Sequence, residues 1–200
     1  RPSQGAARPS DPSAIPNTPS TKPRAGENAI EKKISVSRAE PANDPRPTAT
    51  RHLVRAVGNA VNLSSVLGLG LALAGRAQLS RGPQALLLAE HYRLPLPKAG
   101  AFTIGNVVLV PKRTLAELEQ LHPGTAAHEA AHAWQYFGFL GLPFLPAYAL
   151  ASGWSWLRTG DPASANWFER NAGLVSGGYP ENPRDNTGFK RIGRVVRPRR

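Results

Sequence analysis

His128 and His132 stand four residues apart, with Glu129 directly after the first. On a helix, residues at this spacing share one face, so both imidazoles can reach a common point. Two neutral imidazoles there can fill two of the ligand positions of Zn²⁺. Glu129 adds a carboxylate that can accept a proton from water at the same point. The His-Glu-x-x-His unit therefore supplies two ligands and a base. A catalytic zinc takes a third protein ligand and keeps one position open.

Four acids follow the motif: Asp161, Glu169, Glu181 and Asp185. Asp161 precedes Pro162, the order of an N-cap followed by the first helical position, so the sequence predicts a helix from there to about Ala172, stopped by Gly173. Glu181 and Asp185 fall in a stretch rich in Pro, Gly and Asn. Glu169 sits inside the expected helix, and a second helix presenting it would complete a His128, His132, Glu169 set. Acyl transfer also needs a donor for the developing oxyanion. Tyr136, one turn beyond His132, is the first candidate, with Tyr148, Tyr179 and His122 as alternatives. Asn166 or Asp161 could orient a ligand imidazole through its far nitrogen.

His128-Glu129-x-x-His132 followed by a helix with Glu169-x-x-Ala172 resembles the gluzincin pattern of zinc metallopeptidases. The stretch from about 52 to 180 is also similar to small bacterial HExxH-containing proteins. The resemblance implies a zincin-like core in which His128, His132 and Glu169 ligate zinc and Glu129 is the general base. It also implies that a strand near Ile104–Val110 borders the substrate cleft. A zinc-dependent hydrolase acting on a peptide or protein would follow.

The elements around the motif read as α+β and mostly helical. Arg51 to Arg76 has a broad apolar face of one or two helices, weakened by Gly68, Gly70 and Gly75. Ser80 to Pro83 is a break, and 85–92 reads as a short helix or strand. Residues 101–110 have strand character, and Gly105-Asn106 in their middle predicts a hairpin turn or a bulge. Thr114 and Glu117 have the spacing of a capping box. Pro123-Gly124 ends that helix, and Thr125 opens the one bearing the histidines. Residues 137–157 carry no charge, though Gly138, Gly141, Pro143, Pro146 and Gly153 interrupt them. They read either as a helical hairpin buried under the site or as a segment resting on a membrane, anchored by Trp154 and Trp156 beside Arg158.

Charge placement narrows the partners. The net charge is +12, but residues 190–200 hold six Lys/Arg and no acid, and residues 1–51 hold nine Lys/Arg against five Asp/Glu. The body between them is nearly neutral, so a nucleic-acid site around the histidines is not expected. The basic end adds a possible contact with an anionic membrane surface to that of 137–157. With no Cys, a disulfide framework and a thiolate metal site are both excluded. With no Met, not even an initiator, the chain reads as trimmed or processed. Residues 1–50 hold nine of the twenty prolines and show no apolar period, so they read as a disordered tail. The organisation expected is a tail over 1–50, a zincin-like metal-binding domain over 51–180 and a flexible basic tail over 181–200. Two rivals compete with the hydrolase: a zinc ion that only staples two helices, and a non-enzymatic membrane-associated module.

Overall fold

The computed structural model describes residues 45–95 and 100–196. Seven helices and one sheet form this part: α1 (Pro45–Val61), α2 (Ser64–Ala74), β1 (Gln78–Arg81), β2 (Leu87–Tyr92), β3 (Phe102–Ile104), β4 (Val107–Pro111), α3 (Leu115–Leu121), α4 (Thr125–Gly138), α5 (Phe144–Thr159), α6 (Trp167–Ala172) and α7 (Thr187–Val196). The class is mixed α and β with helix predominant. The sheet order is β1-β2-β4-β3. β2 and β4 run parallel, and the outer pairs β1-β2 and β3-β4 are antiparallel.

β4 carries the core. Val107, Val108, Leu109 and Val110 are all fully buried, as a strand covered on both faces requires. Alternate side chains serve two clusters. Val107 and Leu109 pack with Ala72, Tyr136, Phe144 and Phe168, while Val108 and Val110 pack with Leu115, Leu118, Ala130 and Ala133. α4, which bears the histidines, thus contributes to both halves of the core. The expected hairpin is present: Ile104 pairs with Val107 across Gly105-Asn106, and Gly105 takes a φ of +63°. The capping box of Thr114 and Glu117 is also formed.

α1 locks this turn to the motif helix. Arg55 is fully buried, donates through Nε to Asn106 Oδ1 at 3.0 Å and through Nη2 to the Gln84 carbonyl at 2.5 Å. No carboxylate among the described residues pairs with it; Trp134 of α4 has its ring centre 5.3 Å from the guanidinium carbon and offers a ring face instead. Desolvation lowers the guanidinium to about 10, still charged at neutral pH. Asn59 donates to the Ala133 carbonyl at 2.8 Å, a second tie between α1 and α4.

Several expectations need correction. Residues 1–44 lie outside the described residues, but Pro45 to Thr50 belong to α1 and not to a tail. The end of the chain is not all tail either, because α7 folds against α5: a Cβ on Gly188 would overlap the backbone at Trp156 and Leu157. The helix expected from Asp161 does not run through. The Asp161 carboxylate accepts from Ala163 N and Ser164 N, a capped turn that ends before Asn166 caps α6 afresh through Phe168 N. The uncharged stretch 137–157 is not a buried hairpin. Leu140 and Leu150 are 79% and 77% exposed, and within this stretch α5 buries only Phe144 and Ser155. No single described helix is long and apolar enough to cross a membrane; α1 and α2 pass that test only as a pair, bent by 77°.

A Cβ on Gly105 would overlap the backbone nitrogen of Ser65, and its φ is strained for any L side chain. Gly105→Ala is therefore expected to cost about 3 kcal/mol. A urea unfolding midpoint unchanged from the parent would contradict this account of the turn.

Candidate metal centre

α4 is fourteen residues long and presents His128, Glu129 and His132 toward the interior, where they are 1%, 3% and 7% exposed. α6 is short, and its Asn166 cap and the left-handed Gly173 at its end set the depth at which Glu169 enters. Glu169 is fully buried. The His128 and His132 Nε2 atoms lie 3.0 Å apart, and Glu169 Oε2 lies 3.2 Å from the first and 3.6 Å from the second. One ligand atom from each of the three falls within 4.8 Å of the other two.

The protons at this cluster can be counted. His128 Nδ1 lies 3.0 Å from the Gly173 carbonyl, which can only accept, so Nδ1 carries the hydrogen. Gln135 Nε2 donates to the Phe168 carbonyl at 2.9 Å and to Asn171 Oδ1 at 3.2 Å. Its Oε1 therefore faces His132 Nδ1 at 2.8 Å, and that nitrogen also donates. When both imidazoles are neutral, Nε2 of each is then a bare lone pair. Glu169 Oε2 is buried with no hydrogen-bond partner in the ordinary sense, while Oε1 accepts from the Tyr148 hydroxyl. Three acceptors converge with no donor among them, and unpaired buried acceptors are costly. A proton on His132 or a metal ion would relieve the deficit, and two imidazoles with one carboxylate are a donor set that could hold zinc.

Electrostatics agree. Burial alone would raise the Glu169 carboxyl, but His128, His132 and the Tyr148 hydroxyl hold it down at about 2. Burial opposes a charged His132, yet the Glu169 and Glu129 carboxylates with Gln135 shift it upward overall. Both shifts mean that positive charge is favoured where the two Nε2 atoms meet Glu169.

Glu129 points its Oε2 at the Thr103 hydroxyl, 2.7 Å away. Thr103 is on β3, the edge strand beside α4. The edge strand of the cleft is therefore Phe102–Ile104; Val107 to Val110, also expected there, are interior. A cleft of about 530 Å³ opens at this point, bounded by Thr103, Glu129, His132, Glu169, Tyr148 and Tyr179 and walled by Leu71, Tyr92, Phe102 and Phe144.

Sequence candidates sort clearly in space. His128, His132 and Glu169 come together, with Glu129 at the cleft. Tyr136 lines the cleft wall but belongs to the aromatic core, 4.5 Å from Phe144 between ring centres and 1% exposed. The tyrosines that reach the cluster are Tyr148, through Glu169, and Tyr179, whose ring lies 5.9 Å from that of His128. His122 is the exposed C-cap of α3. Asn166 and Asp161 cap α6 and the turn before it and orient neither imidazole. That role falls to the Gly173 carbonyl and Gln135. Gln135 could have been found, since it lies one turn beyond His132 on the same helix.

No protein-family model matches the chain, and comparison with curated proteins and with solved structures returns no match.

Gly177 presses on the cluster from the loop after α6. A Cβ there would lie 2.7 Å from His128 Nε2, with no room to spare. Gly177→Ala is expected to displace that imidazole and abolish stoichiometric zinc binding, read by calorimetric titration. Gln135→Leu, which removes the acceptor for His132 Nδ1–H, is expected to weaken zinc binding by roughly 10- to 100-fold. Zinc affinities equal to the parent in both variants would contradict the assignment.

Proposed function

We propose that the protein is a zinc-dependent hydrolase that cleaves amide bonds in a peptide or protein. The observation that carries this reading is that His132 and Glu169, clustered with the buried His128, line a 530 Å³ cleft together with the Glu129 carboxylate. A purely structural zinc is closed by four protein ligands. Here three donors converge among the described residues, and the fourth side is the cleft. The likeness of the motif to gluzincins supports the same ligand set.

Zn²⁺ held by these three residues would supply Lewis acidity and bring the pKa of a bound water toward neutrality. Glu129 accepts the proton from the attacking water and returns it to the leaving amine. Thr103 holds the Glu129 carboxylate in place from the edge strand. Tyr179 is the oxyanion donor. Its hydroxyl has no hydrogen-bond partner among the described residues, and burial with the nearby Glu169 and Glu129 carboxylates raises its pKa, so it stays a neutral donor. The apolar walls from Leu71, Tyr92, Phe102 and Phe144 suit an apolar side chain of the substrate.

Glu129→Gln keeps the shape of the side chain and removes its basicity. Zinc content should be unchanged, while cleavage of a peptide library falls by roughly 10²- to 10⁴-fold. Full cleavage by the metal-loaded variant would sink the reading.

A further inference from the structure

The outward face shared by α5 and α7 has an unusual surface. Leu150 and Trp154 stand one turn apart on α5, 77% and 55% exposed. Trp154 meets Phe189 of α7 with ring centres 6.4 Å apart, and Ile192 follows one turn later, also exposed. Trp154 also borders a cleft of about 500 Å³ with Trp167, which is 61% exposed. A contiguous apolar surface of this kind marks a contact site.

Its surroundings are cationic. The Arg158 guanidinium lies 5.7 Å over the Trp154 ring, and Arg184 lines the cleft with the two tryptophans. α7 carries Lys190, Arg191 and Arg194 and no acid. The carboxylates near this face are already engaged. Glu181 pairs with Arg170 at 2.8 Å, Asp185 accepts from Thr187 and lies 3.9 Å from Lys190, and Asp161 accepts from two backbone N–H groups. Arg158, Arg184, Arg191 and Arg194 have no ion-pair partner among the described residues.

We propose that this face docks on an anionic lipid bilayer. Tryptophan beside arginine is the composition of a membrane–water interface. A helix with Phe and Ile on one side and Lys and Arg on the other lies in that interface when its apolar side is buried in lipid. The unpaired cations meet lipid phosphates, while Leu150, Trp154, Phe189 and Ile192 enter the headgroup boundary. Nucleic acid would use the cations but leave the aliphatic side chains unused. Docking is peripheral and does not depend on the metal reading.

The test uses the full chain with vesicles of phosphatidylcholine alone or with about one third phosphatidylglycerol. The protein should sediment with the anionic vesicles only, and its tryptophan emission should shift to the blue. Arg191→Ala with Arg194→Ala should weaken partitioning about thirtyfold at low salt. Leu150→Ser with Trp154→Ser should reduce the blue shift. Both pairs are surface changes, and circular dichroism with zinc content verifies that they remain folded. Three outcomes would overturn the proposal: no sedimentation with anionic vesicles at low salt, equal partitioning by the parent and both variants, or tight binding to duplex DNA with no vesicle-induced emission shift.

Discussion

Three lone pairs aimed at one another govern this structure. The His128 and His132 Nε2 atoms and Glu169 Oε2 meet at 3.0 to 3.6 Å, deep in the protein. The Gly173 carbonyl and Gln135 Oε1 each claim an imidazole hydrogen on the far side, so while the imidazoles are neutral none remains to bridge the three acceptors. Left alone, such a cluster would repel itself in a medium too poor in water to screen it. A bound cation would turn the same arrangement from a cost into a source of folding free energy.

Much of the remaining architecture serves that convergence. α4 is held from behind by Asn59 and by Arg55 stacked on Trp134, and in front by alternate side chains of β4. α6 is only six residues long, which lets Glu169 enter at full burial while Gly173 turns the chain to offer its carbonyl to His128. Tyr148 of α5 occupies the second Glu169 oxygen and leaves the first for the cluster. Thr103 on the edge strand donates to one Glu129 oxygen and holds that side chain at the border between the buried cluster and the cleft. The closed and open sides of the cluster are thereby separated: His128 is covered by Gly177, and the open side lies toward Glu129, Tyr148 and Tyr179.

The cluster of candidate residues was more legible in the sequence than the fold. His128, Glu129 and His132 are local, because helical spacing alone puts them on one face. Glu169 could be chosen over Asp161, Glu181 and Asp185 since only it lay inside a helical pattern. The hairpin at Gly105-Asn106 and the Thr114 cap were equally local. What escaped depends on contacts distant in the chain. Tyr136 and Tyr148 both sit in helices without a nearby charged side chain in sequence, and only the packing of α5 decides that one fills the core and the other meets Glu169. Asp161-Pro162 has the chemistry of a helix start, but Ser155 and Ser164 bind the turn and Asn166 begins the helix anew. The uncharged 137–157 suggested burial, yet hydrophobicity does not fix which side chains find partners, and Leu140, Leu150 and Trp154 find few.

The claim on which everything else rests is that His128, His132 and Glu169 together hold a metal ion. Elemental analysis of the purified full chain, paired with X-ray absorption at the zinc edge, addresses it directly. About one zinc per chain is expected, with a nitrogen and oxygen shell that includes two imidazoles and no sulfur, lost in His128→Ala and Glu169→Ala. A folded protein without stoichiometric metal after zinc reconstitution, or a metal retained in both variants, would contradict the account.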